Sequence, residues 1–158
     1  MKIKQILCFL LITSWPFFNA YAADNQWEIG CDQGTPQACQ IQHQLATPEN
    51  TLPAQILIYT VDALQILEYK VPLGLNLQKG VRLFIKGKNG KHAFPSALLT
   101  CHQNGCLGFT QINENLLTQL KKGRTLTLET TDYSTDKNQD FQFSLIGFTK
   151  TYQQFINR

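Results

Sequence analysis

The chain has 158 residues, of which 43% are apolar, 16% charged and 11% aromatic. This composition is ordinary for a globular domain and excludes a disordered, collagen-like or coiled-coil protein. Two of the 14 basic residues, Lys2 and Lys4, lie in a predicted leader, so that 12 bases remain against 11 acids and the net charge of +3 falls to +1. So small a charge gives no support for non-specific nucleic-acid binding.

Residues 1–22 have the organisation of a cleavable signal peptide. A basic start precedes an apolar run of 13 residues, Ile6–Phe18, and the segment Ala20–Ala22 fits the small-x-small cleavage rule. The run is shorter than the roughly 20 residues of a membrane-spanning helix, and Pro16 interrupts it, so an uncleaved anchor is the less favoured alternative. We predict a mature single domain, residues 23–158, without a transmembrane segment. Its expected location is the periplasm, with outer-membrane association or secretion as further destinations.

Export gives the cysteines a structural role. Once Cys8 leaves with the leader, an even number remains: Cys31, Cys39, Cys101 and Cys106. An even count in an oxidising compartment predicts two disulfides. Of the three possible connectivities, proximity in sequence favours Cys31–Cys39 and Cys101–Cys106, and turn-forming residues lie within both loops. The loops are too long for a Cys-x-x-Cys redox motif, and an oxidised pair is a poor metal ligand, so we expect no catalytic residue, no metal site and no cofactor.

Short segments with alternating or continuous apolar residues predict strands in the first part of the chain. These segments are 27–31, 39–45, 55–63, 66–71 and 81–85, followed by a return strand over 93–99 that Pro95 interrupts. The pair Asn89-Gly90 predicts a tight hairpin turn before that return strand. His43 is expected on the polar side of its strand, at the surface or in a hydrogen bond.

The second part of the chain adds two helices. After a predicted strand over 106–112, the segment 113–123 changes to a helical period, with Asn113 as N-cap and Gly123 as C-cap. Further strands are predicted over 124–130 and 141–145, and the spacing of apolar residues predicts an amphipathic helix over 148–156. Eight or nine short strands with two brief helices predict an all-β fold, an antiparallel immunoglobulin-like β-sandwich stapled by the two disulfides.

Charge is unevenly distributed along the chain. Residues 24–69 contain six acids and no base, whereas residues 70–91 contain six bases and no acid. The predicted hairpin carries Lys86, Lys88 and Lys91, which form a candidate anion-binding or partner-binding site for lipopolysaccharide phosphates, acidic host glycans or an acidic protein. The alternative is a solvated hairpin tip whose lysines discourage edge-to-edge aggregation, or a tip that faces the acidic strands of its own domain.

Several short motifs follow one another in a specific order. They are Trp27…Cys31…Cys39, Val71–Leu75, Leu77-x-x-Gly80-Val81, Phe94-Pro95, Cys101-x-x-x-Gly105-Cys106, Leu116…Leu120-Lys121-Lys122-Gly123 and Phe143–Lys150. In order and spacing the sequence resembles the invasion-associated locus B family of Gram-negative envelope proteins, over essentially the whole mature chain. The resemblance implies a small disulfide-containing sandwich, exported to the periplasm or beyond, with Trp27 in the core or anchoring a strand and Gly147-Phe148 at a corner.

The resemblance also guides the expected function. The founding member of the family is linked to entry of a pathogen into host cells, and the family has no established catalytic residues to transfer. We therefore expect an exported, non-enzymatic envelope or secreted binding protein that contributes to host-cell invasion or virulence, with a protein or a surface glycan or lipid as partner. The alternatives are a periplasmic accessory protein that supports envelope integrity or another secreted factor, and an enzyme with an unrecognised site.

Overall fold

The structure, a computed structural model, describes residues 27–31, 39–45 and 54–158. The predicted signal peptide and the turn residues between Cys31 and Cys39 lie outside these ranges. The described residues form ten strands and two helices: β1 Glu28–Cys31, β2 Cys39–Gln44, β3 Gln55–Val61, β4 Leu64–Val71, β5 Arg82–Gly87, β6 Gly90–Phe94, β7 Ala97–His102, β8 Gly105–Gln111, α1 Glu114–Lys122, β9 Thr125–Thr131, β10 Asn138–Ser144 and α2 Phe148–Ile156.

The strands form two antiparallel sheets. One sheet has six strands in the order β1-β2-β3-β4-β8-β7, and the other has four in the order β10-β9-β5-β6. Alternation along each strand buries one face: Ile56 and Ile58 of β3, and Leu126 and Leu128 of β9, are fully buried, whereas the residues between them are not. The buried faces of the two sheets share one hydrophobic core. The predicted antiparallel sandwich is therefore confirmed.

The predicted return strand over 93–99 is wrong as a single strand. The chain instead leaves the four-stranded sheet at Phe94, the end of β6, and enters the six-stranded sheet at Ala97, the start of β7. Pro95 has no N–H to offer a ladder, and the Ser96 hydroxyl donates a hydrogen bond to the Val81 carbonyl oxygen at 2.6 Å, which fixes the crossover. A period of two marks strand residues, but it does not say to which sheet they belong.

Both predicted helices are confirmed. Asn113 caps the start of α1, since its side-chain oxygen accepts a hydrogen bond from the Leu116 N–H at 2.9 Å. Gly123 caps the end of the helix, where its N–H donates a hydrogen bond to the Gln119 carbonyl oxygen. The helix α2 follows Gly147, which has a φ of 85° and turns the chain out of β10. Its first residue, Phe148, is fully buried. The Gly147-Phe148 pair thus forms the corner that the family resemblance implied.

An aromatic cluster joins the start of β1 to the end of β10. Trp27 is 3% exposed, and its indole N–H donates to the Ser144 carbonyl oxygen at 2.7 Å. The Trp27 ring lies edge-on to the rings of His43 and Phe148, at centroid distances of 4.8 and 5.1 Å. Trp27 is therefore both a core residue and a strand anchor.

The expectation that His43 lies on the polar side of β2 is wrong. His43 is fully buried, because it is two residues from the buried Ile41 and therefore points to the same face of the strand. Its ring packs between Trp27 and Phe143, with a centroid distance of 5.2 Å to the latter. Burial lowers the pKa of His43 from 6.5 to about 4.

We expect this histidine to make folding pH-dependent in mild acid. Between the unfolded pKa of 6.5 and the folded pKa of about 4, the unfolded chain binds more protons than the folded one. The contribution of neutral His43 to the free energy of unfolding is therefore fully present above pH 6.5. It is lost as the pH decreases toward 4, which lowers the free energy of unfolding by roughly 3 kcal/mol over this window. Urea unfolding at a series of pH values should show this slope in the wild type and in His102→Gln, an exposed control. The same slope in His43→Leu would contradict the assignment.

The β9–β10 connection is ordered by one carboxylate. The Asp132 side chain accepts hydrogen bonds from the backbone and hydroxyl groups of Ser134 and Thr135, at 2.7–3.0 Å, and these bonds, the Ser134 hydroxyl bond first, lower its pKa to about 2. An ion pair of 2.6 Å between Lys79 and Asp136 ties the neighbouring β4–β5 connection to the same loop. This region forms the end of the four-stranded sheet opposite to the β5–β6 hairpin.

Candidate functional site

Cys31, Cys39, Cys101 and Cys106 form two disulfides in the structure. The sulfur atoms of Cys31 and Cys39 are 2.09 Å apart, and those of Cys101 and Cys106 are 2.03 Å apart. The first bond joins β1 to β2 and the second joins β7 to β8. Since β1 and β7 are the two edges of the six-stranded sheet, each bond fastens an edge strand to its inner neighbour. The bonds stabilise the sheet and leave no thiol among these cysteines for chemistry.

The three hairpin lysines occupy two different environments. Lys86 and Lys88 are exposed at the tip of the β5–β6 hairpin. The Lys91 ammonium instead lies 3.6 Å from the centroid of the Phe84 ring and 3.8 Å from a carboxylate oxygen of Glu129. Lys86 and Lys91 are directly opposed across the strands, so the repulsion of like charges also favours this separation. The candidate site therefore centres on the tip.

The tip lies beside the C-terminal end of α1. The Arg124 N–H donates to the Lys86 carbonyl oxygen at 2.8 Å, and a methyl group on Gly87 would lie only 3.6 Å from the Gly123 Cα. The start of α2 joins the same region, because the Thr149 hydroxyl donates to the Lys121 carbonyl oxygen at 3.1 Å. Three elements distant in sequence are thus held together by hydrogen bonds to backbone carbonyl oxygens, one from a backbone N–H and one from a side-chain hydroxyl.

A cleft of about 380 Å³ lies between the hairpin tip and α1. We call it the basic cleft; it is lined by Gly87, Lys88, Asn89, Thr118, Gln119 and Lys122. Two ammonium groups and two side-chain amides supply hydrogen-bond donors, and the lining contains no carboxylate. This set of groups suits a phosphate, sulfate or carboxylate on a ligand. It offers neither a nucleophile beside a base nor a metal-ligand set.

Further cations lie on the elements that border the basic cleft. They are Lys86 of β5, Lys121 of α1, Arg124 just before β9 and Lys150 of α2. The Lys121 ammonium lies 4.7 Å from the centroid of the Tyr152 ring. Within the part of the chain that the structure describes, the basic residues that form ion pairs are Lys79, Arg82 and Lys91. Among the described residues, the two cleft lysines and the other four cations therefore have no carboxylate within 4 Å. Their positive fields therefore add at one end of the molecule.

The sequence pointed to only one charged residue of this cleft. Lys88 was identified from the charge pattern, together with Lys86 and Lys91 outside the lining, but Thr118, Gln119 and Lys122 were not. The basic last turn of α1 was visible only as a feature of a helix end, where lysines complement the helix dipole. Lys88 and Lys122 are 34 positions apart in the sequence, and no local pattern connects them.

The described residues show neither a membrane-spanning helix nor a cluster of metal ligands. Neither α1 nor α2, the helices of the described residues, is long and apolar enough to cross a membrane. Within residues 27–31, 39–45 and 54–158, no three His, Cys, Asp or Glu side chains are grouped as metal ligands would be. Of the three predicted lysines, Lys88 lines the basic cleft, whereas Lys86 and Lys91 are not part of its lining.

Fold and site together define a small β-sandwich with disulfide-fastened sheet edges and a basic cleft at one end. Comparison with known proteins gives the family. The model of the invasion-associated locus B protein family matches residues 27–155, and the chain belongs to this family. The resemblance inferred from the sequence motifs is therefore confirmed.

A solved structure shows the same fold. The chain is similar to invasion associated protein B from Bartonella henselae, with a TM-score of 0.70 and 23% sequence identity, over 84% of this chain and 92% of that one. At this identity the likeness establishes the common fold alone. A search of curated proteins finds no match.

Proposed function

We propose that this protein is an exported, non-enzymatic binding protein of the envelope or the secreted fraction, which holds an anionic group of its partner in the basic cleft. The observation that carries the proposal is the convergence of Lys88 and Lys122, from two separate elements, on one cleft without a carboxylate. The predicted leader and the two disulfides support export to an oxidising compartment. A contribution to host-cell invasion or virulence is the role that the name of the family suggests.

The charge arrangement favours a ligand with several anionic groups. One ammonium at about 4 Å from an anion contributes about 1 kcal/mol in water and several times more where water is partly excluded. One anionic group can bind between Lys88 and Lys122. Lys86, Arg124 and Lys150 lie outside the cleft and form no ion pair within the described residues, so they can pair with further charges. Phosphorylated lipopolysaccharide and sulfated or carboxylated host glycans share this chemistry. The proposed partner is therefore an anionic surface glycan or glycolipid.

The test compares two variants that lose the same number of charges. Mature, oxidised protein is passed over immobilised lipopolysaccharide and, separately, over an immobilised sulfated glycan, and affinity is measured at low and high salt. We expect Lys88→Gln/Lys122→Gln to bind at least tenfold more weakly, a change of about 1.4 kcal/mol. The control, Lys79→Gln/Lys137→Gln, lies at the opposite end of the four-stranded sheet and should stay within twofold of the wild type. Binding should weaken in high salt.

The outcomes separate the proposal from its alternatives. Equal losses in the two double variants would show attraction to net charge alone and would reject the cleft. Lys91→Gln should have less effect than Lys88→Gln, because Phe84 and Glu129 already engage the Lys91 ammonium. Binding to lipopolysaccharide without binding to host glycans would favour the periplasmic accessory role. A catalytic activity abolished by one polar substitution would favour an enzyme.

A further inference from the structure

We propose that a second surface, on the outer face of the six-stranded sheet, docks an amphipathic segment of a partner protein that carries a Lys or Arg beside apolar side chains. This inference is independent of the proposed function of the basic cleft. The surface is a groove of about 330 Å³, which we call the acidic groove; its apolar lining includes Val61, Leu64, Ile66, Leu107 and Phe109.

The strand pattern places these apolar residues on the outside. Along β4 the side chains of Leu67, Tyr69 and Val71 are buried in the core, so Ile66 points to the opposite face. The register then opposes Tyr59 to Ile66 and Val61 to Leu64 across β3 and β4. Apolar side chains of the outer face are thus continuous between strands.

The described part of the chain leaves this face open. Val61 and Leu64 are each 49% exposed and Phe109 is 38% exposed. The two helices lie elsewhere, since α1 packs against β5 and α2, and α2 packs against β1 and β2. A single exposed leucine needs no explanation, but a contiguous apolar patch across neighbouring strands marks an interaction surface.

Two carboxylates determine the charge of the partner. Glu68 lies within the groove, where the Tyr59 hydroxyl donates to its Oε2 at 2.9 Å and holds it in place. Asp62 lines the same groove at the β3–β4 turn. Neither residue forms an ion pair within the described residues, although both adjoin apolar side chains. A cation beside apolar groups therefore complements the groove, whereas the carboxylate of a fatty acid or the phosphate of a lipid would be repelled.

The size of the groove sets the scale of the contact. Its volume lies near the lower end of the range of about 300–1,000 Å³ for ligand pockets. It holds a few side chains, such as two apolar anchors one helical turn apart with a Lys or Arg beside them, which is how an amphipathic helix engages a groove. Burial, followed by the neighbouring Glu68 carboxylate, raises the pKa of Tyr59 above its ordinary value of 10.0.

The test uses two labelled peptides that differ only in the sign of their charge. One is an amphipathic helical peptide of Leu and Lys, in which the leucines are spaced alternately three and four residues apart. The other peptide has Glu in place of every Lys. Fluorescence anisotropy with the mature, oxidised protein should show binding of the Leu/Lys peptide at least tenfold tighter than the Leu/Glu peptide. In Asp62→Asn/Glu68→Gln this preference should fall below threefold.

A matched pair of leucine variants tests how much the apolar side chains of the acidic groove contribute to peptide binding. Leu64→Ser should weaken binding of the Leu/Lys peptide at least fivefold, while Leu77→Ser, at a leucine that is 57% exposed outside the groove, should not change it. Unfolding curves that match that of the wild type would show that these surface variants are folded. Absence of binding, equal binding of the two peptides, or binding that resists both groove variants would overturn the proposal. Retention of the preference in Lys88→Gln/Lys122→Gln would support a surface separate from the basic cleft.

Discussion

Removal of both disulfides is expected to lower the free energy of unfolding by about 5 kcal/mol. The bonds close loops with sequence separations of 8 and 5 residues, and the loss of loop entropy in the unfolded chain is worth about 2–3 kcal/mol for each. Each bond also holds an edge strand, β1 or β7, onto the six-stranded sheet. This is the largest effect that we predict, and it amounts to a large fraction of the stability of an ordinary domain.

Chemical denaturation of three variants measures the effect. They are Cys31→Ala/Cys39→Ala, Cys101→Ala/Cys106→Ala and the combination of the two. The second pair should cost more than the first, because Cys106 is 1% exposed and Cys31 lies at the exposed end of β1, so the second pair also loses core packing. An unfolding curve of the combined variant that matches the oxidised wild type would contradict the structural role of the bonds.

Replacement of Gly108 by alanine is expected to cost about 3 kcal/mol and to lower the melting temperature by about 10 °C. A Cβ at this position would collide with the Cζ and hydroxyl oxygen of Tyr69, and would lie 2.6 Å from the Ala97 carbonyl oxygen. Tyr69 is fully buried, and its hydroxyl donates to the same carbonyl at 3.3 Å. Neither the ring nor the backbone of β7 has room to move.

A second glycine provides the control for this substitution. Gly30 also lies within a strand, yet a Cβ there would meet nothing within 4 Å, so Gly30→Ala should leave the melting temperature nearly unchanged. In a double-mutant cycle, Tyr69→Leu should recover part of the loss in Gly108→Ala, because the shorter side chain leaves the space that the new methyl group needs. Equal melting temperatures for the two glycine variants would contradict the assigned contact.

Local features of this fold can be predicted from local sequence patterns. The helix α1 carries its own start and end signals, Asn113 and Gly123, and both caps form as expected. The disulfide pairs are close in sequence, and each lies across a pair of neighbouring strands. Proximity and the turn-forming residues within the loops therefore favoured them among three connectivities. In these cases the interacting groups are at most ten residues apart, and the geometry of one turn brings them together.

Two errors of the sequence analysis have different physical origins, one local and one non-local. His43 was placed by its chemical type rather than by its parity with Ile41, although parity decides which face of a strand a side chain occupies. The residues around Pro95 were joined into one strand, although the chain crosses there from one sheet to the other. Which sheet receives a strand depends on pairing with distant residues, and a local period does not contain that information.

The sequence by itself determined most of the elements, the four cysteines and the uneven charge that led to Lys86, Lys88 and Lys91. Only the tertiary structure decided that Lys88 meets Lys122 across the basic cleft, and that Glu68 and Phe109 share one outer face. Each of these pairs comes from elements more than 30 residues apart in the chain. Their meeting depends on strand order and helix docking, which arise from burial of the whole core and not from any single segment.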